Sequence, residues 1–253
     1  MAGEIIKTEG IVLAIRPWSR TSHIVTWLTP DHGCVTTLVK GAVRPKSAFL
    51  GQYDLFYTCD LLYYARAAAD LHALRETTPR ALRENLRGHW RETALAGYAA
   101  DLVRDLAPAN GESAAWFAFL DSLFTRLERH NDLKDSNAPK VLNVFKDLNP
   151  LQELVRLEMG VLKLAGWSPD FSGMDPRTHW SPFAIDHGRC GEGTRTVRLS
   201  PRTVAVLTRP DAPGHAPETV EDAVRFLGVF LAYHLDTPPD VRRSLVALLA
   251  TPS

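Results

Sequence analysis

A short cationic stretch between residues 39 and 51 carries the clearest chemical signal in the sequence. Lys40, Arg44 and Lys46 follow an apolar run, Phe49 comes close behind, and no acidic residue stands among them. Cations bind phosphates and flat side chains stack on unpaired bases, so this pattern is typical of a surface for single-stranded nucleic acid. The same composition also fits a solvated turn that Phe49 anchors to the core. Residue types alone leave both interpretations open.

A second group, Arg16, Trp18 and Arg20, lies in the predicted first turn of the chain. Between Arg16 and Leu50 the only acid is Asp31, although the whole chain is neutral, with 29 Lys and Arg against 29 Asp and Glu. Whole-chain charge therefore predicts neither a polyanionic nor an acidic partner, and any electrostatic footprint must be local. We predict that Arg16 and Arg20 support the cationic stretch and that Trp18 is a stacking residue.

Catalytic chemistry has weaker support. Asp31, His32 and Cys34 could be imagined as a thiol nucleophile with a base, but neighbouring residues in a tight turn rarely face one another. The Gly-rich stretch 188–193 lacks the preceding strand and following helix that a nucleotide loop requires. We predict that the protein is not an enzyme. An enzyme that uses these three residues remains an alternative, and it requires a thiol that reacts near neutral pH.

The cationic stretch must be positioned by β-structure, because short runs rich in Ile, Val, Thr, Tyr and Trp recur between turn signals up to about residue 80. Five strands at this spacing predict a small barrel or sandwich, and the OB-fold is one such barrel. Thr29–Gly33 contains a Pro, an Asp and a Gly, which predicts a hairpin. The predicted strands are Ile5 to Ile15, His23 to Thr29, Cys34 to Val39, Gln52 to Tyr64 and Asp70 to Thr77.

Beyond Pro79 the hydrophobic period becomes helical. Asn149-Pro150 predicts a helix start, with Gln152 reaching back to the cap, and Ser200-Pro201 predicts another. Gly166 is the expected end of the first of these helices. Two apolar groups predict core faces: Trp116, Phe119, Leu123 and Leu127, and Phe226, Leu227, Phe230 and Leu231.

Residues 167–197 show no sustained period and predict an irregular insertion between helices. Without a metal, this segment requires local packing, for which the sequence offers Trp167, Phe171, Trp180 and Phe183.

The order and spacing of four N-terminal motifs resemble the bacterial recombination mediator family RecO. The motifs are Thr8 to Leu13, Ser22 to Val25, Leu28 to Gly33 and Val39 to Ser47. The resemblance covers roughly the first 75 residues specifically and the remainder more loosely. It implies an α+β multidomain protein, with a five-stranded OB-fold barrel at 1–80 and an all-helical domain at 81–253.

The resemblance also implies an activity. Members of the family bind single- and double-stranded DNA, anneal complementary strands and help load recombinase onto DNA coated by single-strand-binding protein. Expected partners are the C-terminal tail of that protein and a RecR-like protein. Lys40, Arg44 and Lys46 match the family's basic motif. A hydrophobic pocket for the tail would have a cationic rim, for which Arg126, Arg129 and Arg156 are candidates.

The chain departs from the family in residues 167–197, where many members carry two Cys-x-x-Cys pairs that bind zinc. Met174 and Arg177 stand about where the first pair would fall, and only Cys190 remains near the second. A four-thiolate site cannot be built, so the region is a degenerate zinc-finger-like segment and we predict no cofactor. A substitute zinc site could be built from Asp175, His179, His187 and Cys190, and the sequence leaves this alternative undecided.

Two further expectations concern location and class. No run approaches the roughly 18 apolar residues of a membrane span, and the first residues lack a signal-peptide pattern. We therefore expect a cytoplasmic protein without a membrane partner, and the resemblance implies association with the nucleoid. The alternative to DNA binding is a protein-interaction adaptor, in which the barrel docks a partner and the cations are incidental.

Overall fold

The computed structural model describes residues 4–66, 70–135, 149–235 and 241–251, with only the backbone for 129–135. The chain divides into two compact units, Met1–Ala138 and Pro139–Ser253. The predicted boundary near residue 80 follows the change from strands to helices. In the structure, the first compact unit contains both the five strands and the first three helices, so its boundary lies near residue 138.

The first unit contains a five-stranded barrel. Antiparallel pairing joins β1 to β2, β2 to β3, β4 to β5 and β1 to β4, while β3 and β5 pair in parallel and close the ring. The five strands predicted from the sequence are confirmed. Their bounds are β1 Glu4–Ser19, β2 Ser22–Thr29, β3 Gly33–Val39, β4 Thr58–Ala65 and β5 Leu71–Ala81.

Alternating burial shows why these runs form a barrel. Successive residues of β3 alternate between buried and half-buried, which is the period of a strand with one face on a core. At the centre of the core, Trp27 is fully buried and its Nε1 donates a 2.8 Å hydrogen bond to Thr37 Oγ1. The only polar atom of the indole is thereby satisfied inside the barrel.

The strand predicted for Gln52 to Tyr64 begins later, at Thr58. Residues 50–57 form turns, in which the Tyr57 N–H donates to the Asp54 carbonyl at 3.1 Å. Phe56 has a φ of 70°, so the backbone leaves the extended region there. Aromatic residues in this loop pack on the core and so mimic a strand pattern.

Three helices complete the first unit: α1 Glu84–Arg87, α2 Trp90–Leu106 and α3 Ala114–Asp135. Trp116, Leu123 and Leu127 on α3 are buried, as predicted, and Phe119 is half-buried. The buried Arg83 joins the barrel to α3, because its guanidinium donates to Thr58 Oγ1 at 3.3 Å and to Thr125 Oγ1 at 2.9 Å.

The second unit contains four helices and a small sheet among its described residues. The helices are α4 Pro150–Leu164, α5 Pro201–Thr208, α6 Pro217–His234 and α7 Val241–Leu249, and the strands are β6 Ser181–Ala184, β7 Arg189–Cys190 and β8 Thr196–Leu199. The predicted core residues of α6 are all buried. None of the helices in the described residues has both the length and the apolar character that a membrane span requires.

The predicted helix ends are largely confirmed. Asn149 Oδ1 accepts from the Leu151 N–H at 2.9 Å, and Ser200 Oγ accepts from the Thr203 N–H at 3.0 Å. Gly166 has a φ of 77° just beyond α4. Gln152 does not reach back to the cap as predicted, because its amide donates to the Pro210 carbonyl at 3.0 Å and so ties α4 to the loop after α5.

The prediction of an all-helical second domain with an irregular insertion at 167–197 was wrong in one respect. This segment contains most of a three-stranded sheet with the order β7-β6-β8. Strands of four, two and four residues are too short to produce a visible alternation. Phe183 on β6 is fully buried, with its ring 5.5 Å from Phe171 and 5.2 Å from Phe226, whereas Trp180 does not join this packing.

Candidate nucleic-acid interface

Both predicted cationic groups lie at one end of the barrel. Pro17 on β1 pairs with His23 on β2, and His23 pairs with Val39 on β3, so these three positions form one row across the sheet. Arg16 is one residue before this row on β1, and Lys40 directly follows the end of β3. The strand register therefore brings together two groups that lie more than 20 residues apart in sequence.

Hydrogen bonds join the two loops that carry these cations. The Val43 N–H donates to the Thr21 carbonyl at 3.4 Å, and the Gly41 N–H donates to Ser22 Oγ at 3.2 Å. Ser22 is buried, so its hydroxyl is a fixed acceptor under the loop. The β1–β2 turn and the loop after β3 are therefore parts of one surface, which we call the barrel-end surface: Arg16, Trp18, Arg20, Lys40, Arg44 and Lys46.

The loop after β3 is a series of tight turns. The Arg44 N–H donates to the Gly41 carbonyl at 3.2 Å, and the Ser47 N–H donates to the Arg44 carbonyl at 2.9 Å. Gly41 has a φ of 67°, which favours glycine. Ala42 is buried and holds the loop to the barrel. These contacts fix the backbone from which Lys40, Arg44 and Lys46 project.

The cations of the barrel-end surface are available to a ligand. All five are exposed, and within the described part of the chain none of them forms an ion pair with Asp or Glu. An unpaired cation adds its full attraction to a phosphate, because no existing partner must first be displaced. The five are Arg16, Arg20, Lys40, Arg44 and Lys46.

The two aromatic candidates differ in exposure. Trp18 is 60% exposed, so a base can reach its ring. Phe49 is half-buried and packs against the barrel core beside Tyr53. Tyr53 is itself held in place by the contact of its hydroxyl with His23 Nδ1 at 2.8 Å. This packing favours the interpretation of Phe49 as an anchor of the loop.

Sequence reasoning missed two apolar members of this region. Val43 and Leu50 are 47% and 50% exposed and lie in the same loop as the cations. Their spacing in the sequence gave no periodic signal, because the loop consists of consecutive turns. Exposed apolar side chains beside cations suit the faces of bases, and they equally suit a protein partner.

Asp31 and His32 lie in the turn between β2 and β3, at the opposite end of these strands, and Cys34 lies at the start of β3. The His32 N–H donates to Thr29 Oγ1 at 3.1 Å, and the Cys34 N–H donates to the Pro108 carbonyl at 3.0 Å. Burial raises the pKa of the Cys34 thiol to about 11. A thiol that stays protonated near neutral pH is a poor nucleophile, so this geometry disfavours the enzyme alternative.

The proposed substitute for a zinc site is not assembled. Within the described ranges, no group of three or more His, Cys, Asp and Glu side chains is positioned to hold a metal ion. Asp175 Oδ1 instead accepts from the Arg177 N–H at 2.9 Å, and burial raises the pKa of Cys190. The expectation that the protein has no cofactor stays a prediction.

Comparison with known proteins adds an independent line of evidence. Residues 1–82 match the family model described as Recombination protein O N terminal. The chain is 27% identical to the DNA repair protein RecO of Anaeromyxobacter sp. (strain K), over 95% of each chain, and 27% identical to that of Anaeromyxobacter dehalogenans (strain 2CP-1 / ATCC BAA-258), over 94% of this chain and 95% of the relative. The protein of the same name from Geobacter metallireducens is 27% identical, over 93% of this chain and 94% of the relative. The resemblance to RecO is confirmed.

Proposed function

We propose that this chain, which is similar to RecO proteins, is a mediator of DNA repair and homologous recombination whose barrel-end surface binds DNA. The observation that carries the proposal is one surface with five exposed cations, none of which pairs with an acidic side chain among the residues that the structure describes.

The proposed contacts are with phosphates and one or more bases. Lys40, Arg44 and Lys46 would neutralise backbone charge from the loop, Arg20 would do so from the β1–β2 turn, and Arg16 from the end of β1. Trp18 would stack on an unpaired base, which adds about 1–3 kcal/mol per base. The phosphates of a duplex can make the same contacts, so we propose that both single- and double-stranded DNA bind to this surface.

Strand annealing follows from the same electrostatics. Two complementary strands repel one another, and a cationic surface that neutralises part of this charge allows them to approach and pair. Such a step forms no covalent bond and needs no nucleotide hydrolysis. We propose that the chain anneals strands in this way and helps to load recombinase onto DNA coated by single-strand-binding protein.

The expected protein partners stay part of the proposal. In the second unit a cleft of about 980 Å³ is bordered by α4, α6 and α7. Arg243 lines it and is exposed, whereas Arg242 donates to the buried Glu158 at 2.6 Å. This cleft suits the acidic and apolar tail of single-strand-binding protein. A RecR-like protein is the other proposed partner.

The three arginines that the sequence offered as the rim of such a pocket are not found as exposed cations among the described residues that line this cleft. Arg156 pairs with Glu153 at 3.5 Å and with Asp211, so its charge is already engaged. Arg126 belongs to the first unit, and the side chain of Arg129 lies outside the described residues.

A second candidate function is that of a protein-interaction adaptor. The exposure of Val43 and Leu50 beside Trp18 favours it, because exposed apolar side chains are typical of protein interfaces. In that case the cations would form only a polar rim around the docked partner.

Titration of a fluorescent oligonucleotide separates the two functions. The mediator predicts binding to a single-stranded 25-mer, with an affinity that falls roughly 50-fold between 50 and 200 mM salt if about four phosphates are neutralised. A full chain that is correctly folded but does not bind the oligonucleotide at 50 mM salt contradicts the mediator and leaves the adaptor.

A further inference from the structure

A shallow groove in the second unit combines exposed aromatic side chains with arginines. It lies between the edge strand β8 and helix α6, and its volume is about 250 Å³. We call it the β8–α6 groove. Its solvent-facing lining residues include Trp180, Arg198, Arg225 and Val229. Two neighbours outside the lining, Arg195 and Tyr233, extend it.

Residues on one face of α6 form one side of the groove. Arg225, Val229 and Tyr233 are spaced four residues apart, so they lie on one face of α6. On the adjoining face of α6, Phe226 and Phe230 are buried and pack against Phe183 of the sheet. The exposed stripe therefore does not belong to the core of the unit.

The aromatic rings of the groove can be reached by a ligand. Trp180 is 53% exposed and Tyr233 is 41% exposed. The Arg195 guanidinium lies over the Tyr233 ring at 5.9 Å from its centroid, so one face of the ring is already paired with a cation. Flat rings beside guanidinium groups are the means by which proteins hold unpaired bases next to their phosphates.

The charge of the groove is positive. Arg195 and Arg198 form no ion pair within the described residues. Asp222 is the acid among the described lining residues, and its carboxylate accepts from Arg225 at 2.7 Å. An anionic ligand is therefore favoured over a cationic or neutral one.

We infer that the β8–α6 groove is a second surface for single-stranded nucleic acid, separate from the barrel-end surface. The inference rests on the proposed function, because it supplies the same activity with a second binding site. Trp180 and Tyr233 stack bases, and Arg195 and Arg198 bind the flanking phosphates. One chain then holds two strands at once, which is what annealing requires. The groove binds more weakly, since it has two unpaired cations against five.

The test counts the strands that one full-length chain can bind. Native mass spectrometry of the chain with dT8 and dT9 at low ionic strength distinguishes complexes by mass. We expect a wild-type complex that carries one of each oligonucleotide. The variant Arg195→Ala/Arg198→Ala should keep one strand only, and so should Lys40→Ala/Arg44→Ala/Lys46→Ala. The control Arg177→Ala/Arg202→Ala removes two exposed arginines that do not line the groove, and it should keep two strands.

The other outcomes are distinct. A wild-type chain that binds one strand, and loses it only in the barrel-end variant, overturns the inference and leaves the proposed function intact. Binding that survives in the barrel-end variant and vanishes in the groove variant contradicts the proposed function instead. If the groove variant keeps both strands but loses binding to a labelled peptide of alternating Asp and Phe, the groove binds acidic peptides and the inference is wrong.

Trp180→Ala provides a test that leaves the charge unchanged. Because Trp180 is exposed, the variant should unfold at the wild-type temperature. If a base stacks on Trp180, loss of the ring should weaken the binding of the strand in the groove at least fivefold. An unchanged second binding constant would contradict stacking on Trp180.

Discussion

The backbone N–H of Val43 donates a hydrogen bond to the carbonyl of Thr21, and this contact joins the loop after β3 to the β1–β2 turn. These two segments carry Arg20, Lys40, Arg44 and Lys46, and Arg16 lies near the end of β1 just before the turn. Their relative position is thus set by the backbone, and it is supported by the bond from the Gly41 N–H to the buried Ser22 hydroxyl.

The conformation of Gly41 should therefore matter for both stability and binding. Gly41→Ala places a Cβ 3.2 Å from Arg44 Cδ at a φ of 67°. We expect a loss of about 1–2 kcal/mol in the free energy of unfolding, because an L-residue is strained there. Weaker oligonucleotide binding should accompany it, since Arg44 must move. The matched control is Gly97→Ala on α2, where nothing lies within 4 Å of the new Cβ. Urea unfolding that shows both variants at wild-type stability would contradict the role of Gly41.

Trp18 and Phe49 should respond in opposite ways to removal of the ring. Trp18→Ala should weaken oligonucleotide binding by about 1–3 kcal/mol, the contribution of one stacked base, with an unchanged melting temperature. Phe49→Ala should lower the melting temperature, because the ring packs on the barrel core. Anisotropy titrations and calorimetry measure the two effects. The control is Trp90→Ala, which removes another exposed tryptophan, and equal effects of Trp18→Ala and Trp90→Ala on binding would rule out stacking on Trp18.

The ion pair between Arg242 and Glu158 should stabilise the second unit. Glu158 is fully buried, and Arg242 donates to its two oxygens at 2.6 and 2.8 Å. Arg242→Met leaves a buried carboxylate without this partner and should cost about 3–5 kcal/mol of unfolding free energy. The double variant Arg242→Met/Glu158→Met should recover much of the loss. If the double variant is as unstable as the single one, the cost comes from packing around Arg242 and not from the charge.

The Asp186 carboxylate should make the second unit sensitive to acid. The Thr194 N–H and hydroxyl donate to it and lower its pKa from 3.8 to about 2. A carboxyl whose pKa is lower in the folded state stabilises the fold above pH 3.8, and this contribution disappears as the pH falls towards 2. Melting temperatures measured from pH 2 to 6 should fall more steeply for the wild type than for Asp186→Asn. Parallel curves would show that Asp186 does not contribute.

The sequence predicts local structure well where a single residue type decides it. Asn149 and Ser200 cap helices because their side chains accept backbone N–H groups, and Gly166 ends α4 because it tolerates a positive φ. Gln152 was mispredicted, because its partner at Pro210 is distant in sequence. Strands as short as β7 leave no periodic signal.

The sequence predicts which residues belong to the candidate site, but it does not predict that the two cationic groups lie next to each other. Lys40, Arg44 and Lys46 stand out in the sequence as a cationic stretch. Their proximity to Arg16 and Arg20 depends on the register of β1, β2 and β3, which sequence patterns do not fix to a single residue. The roles of Phe49 and Trp18 could be separated only by burial, since both are aromatic residues near cations.

Binding of DNA by the barrel-end surface should show in the salt dependence of oligonucleotide binding by Lys40→Ala/Arg44→Ala/Lys46→Ala. We expect the affinity for a single-stranded 25-mer at 50 mM salt to fall on the order of 100-fold, and the slope of log K against log salt to change from about −2.8 to about −0.7, while the melting temperature stays unchanged. The control Lys7→Ala/Arg66→Ala/Lys163→Ala removes three exposed cations outside this surface and should keep the wild-type slope. Equal slopes for the wild type and the barrel-end variant would contradict the account.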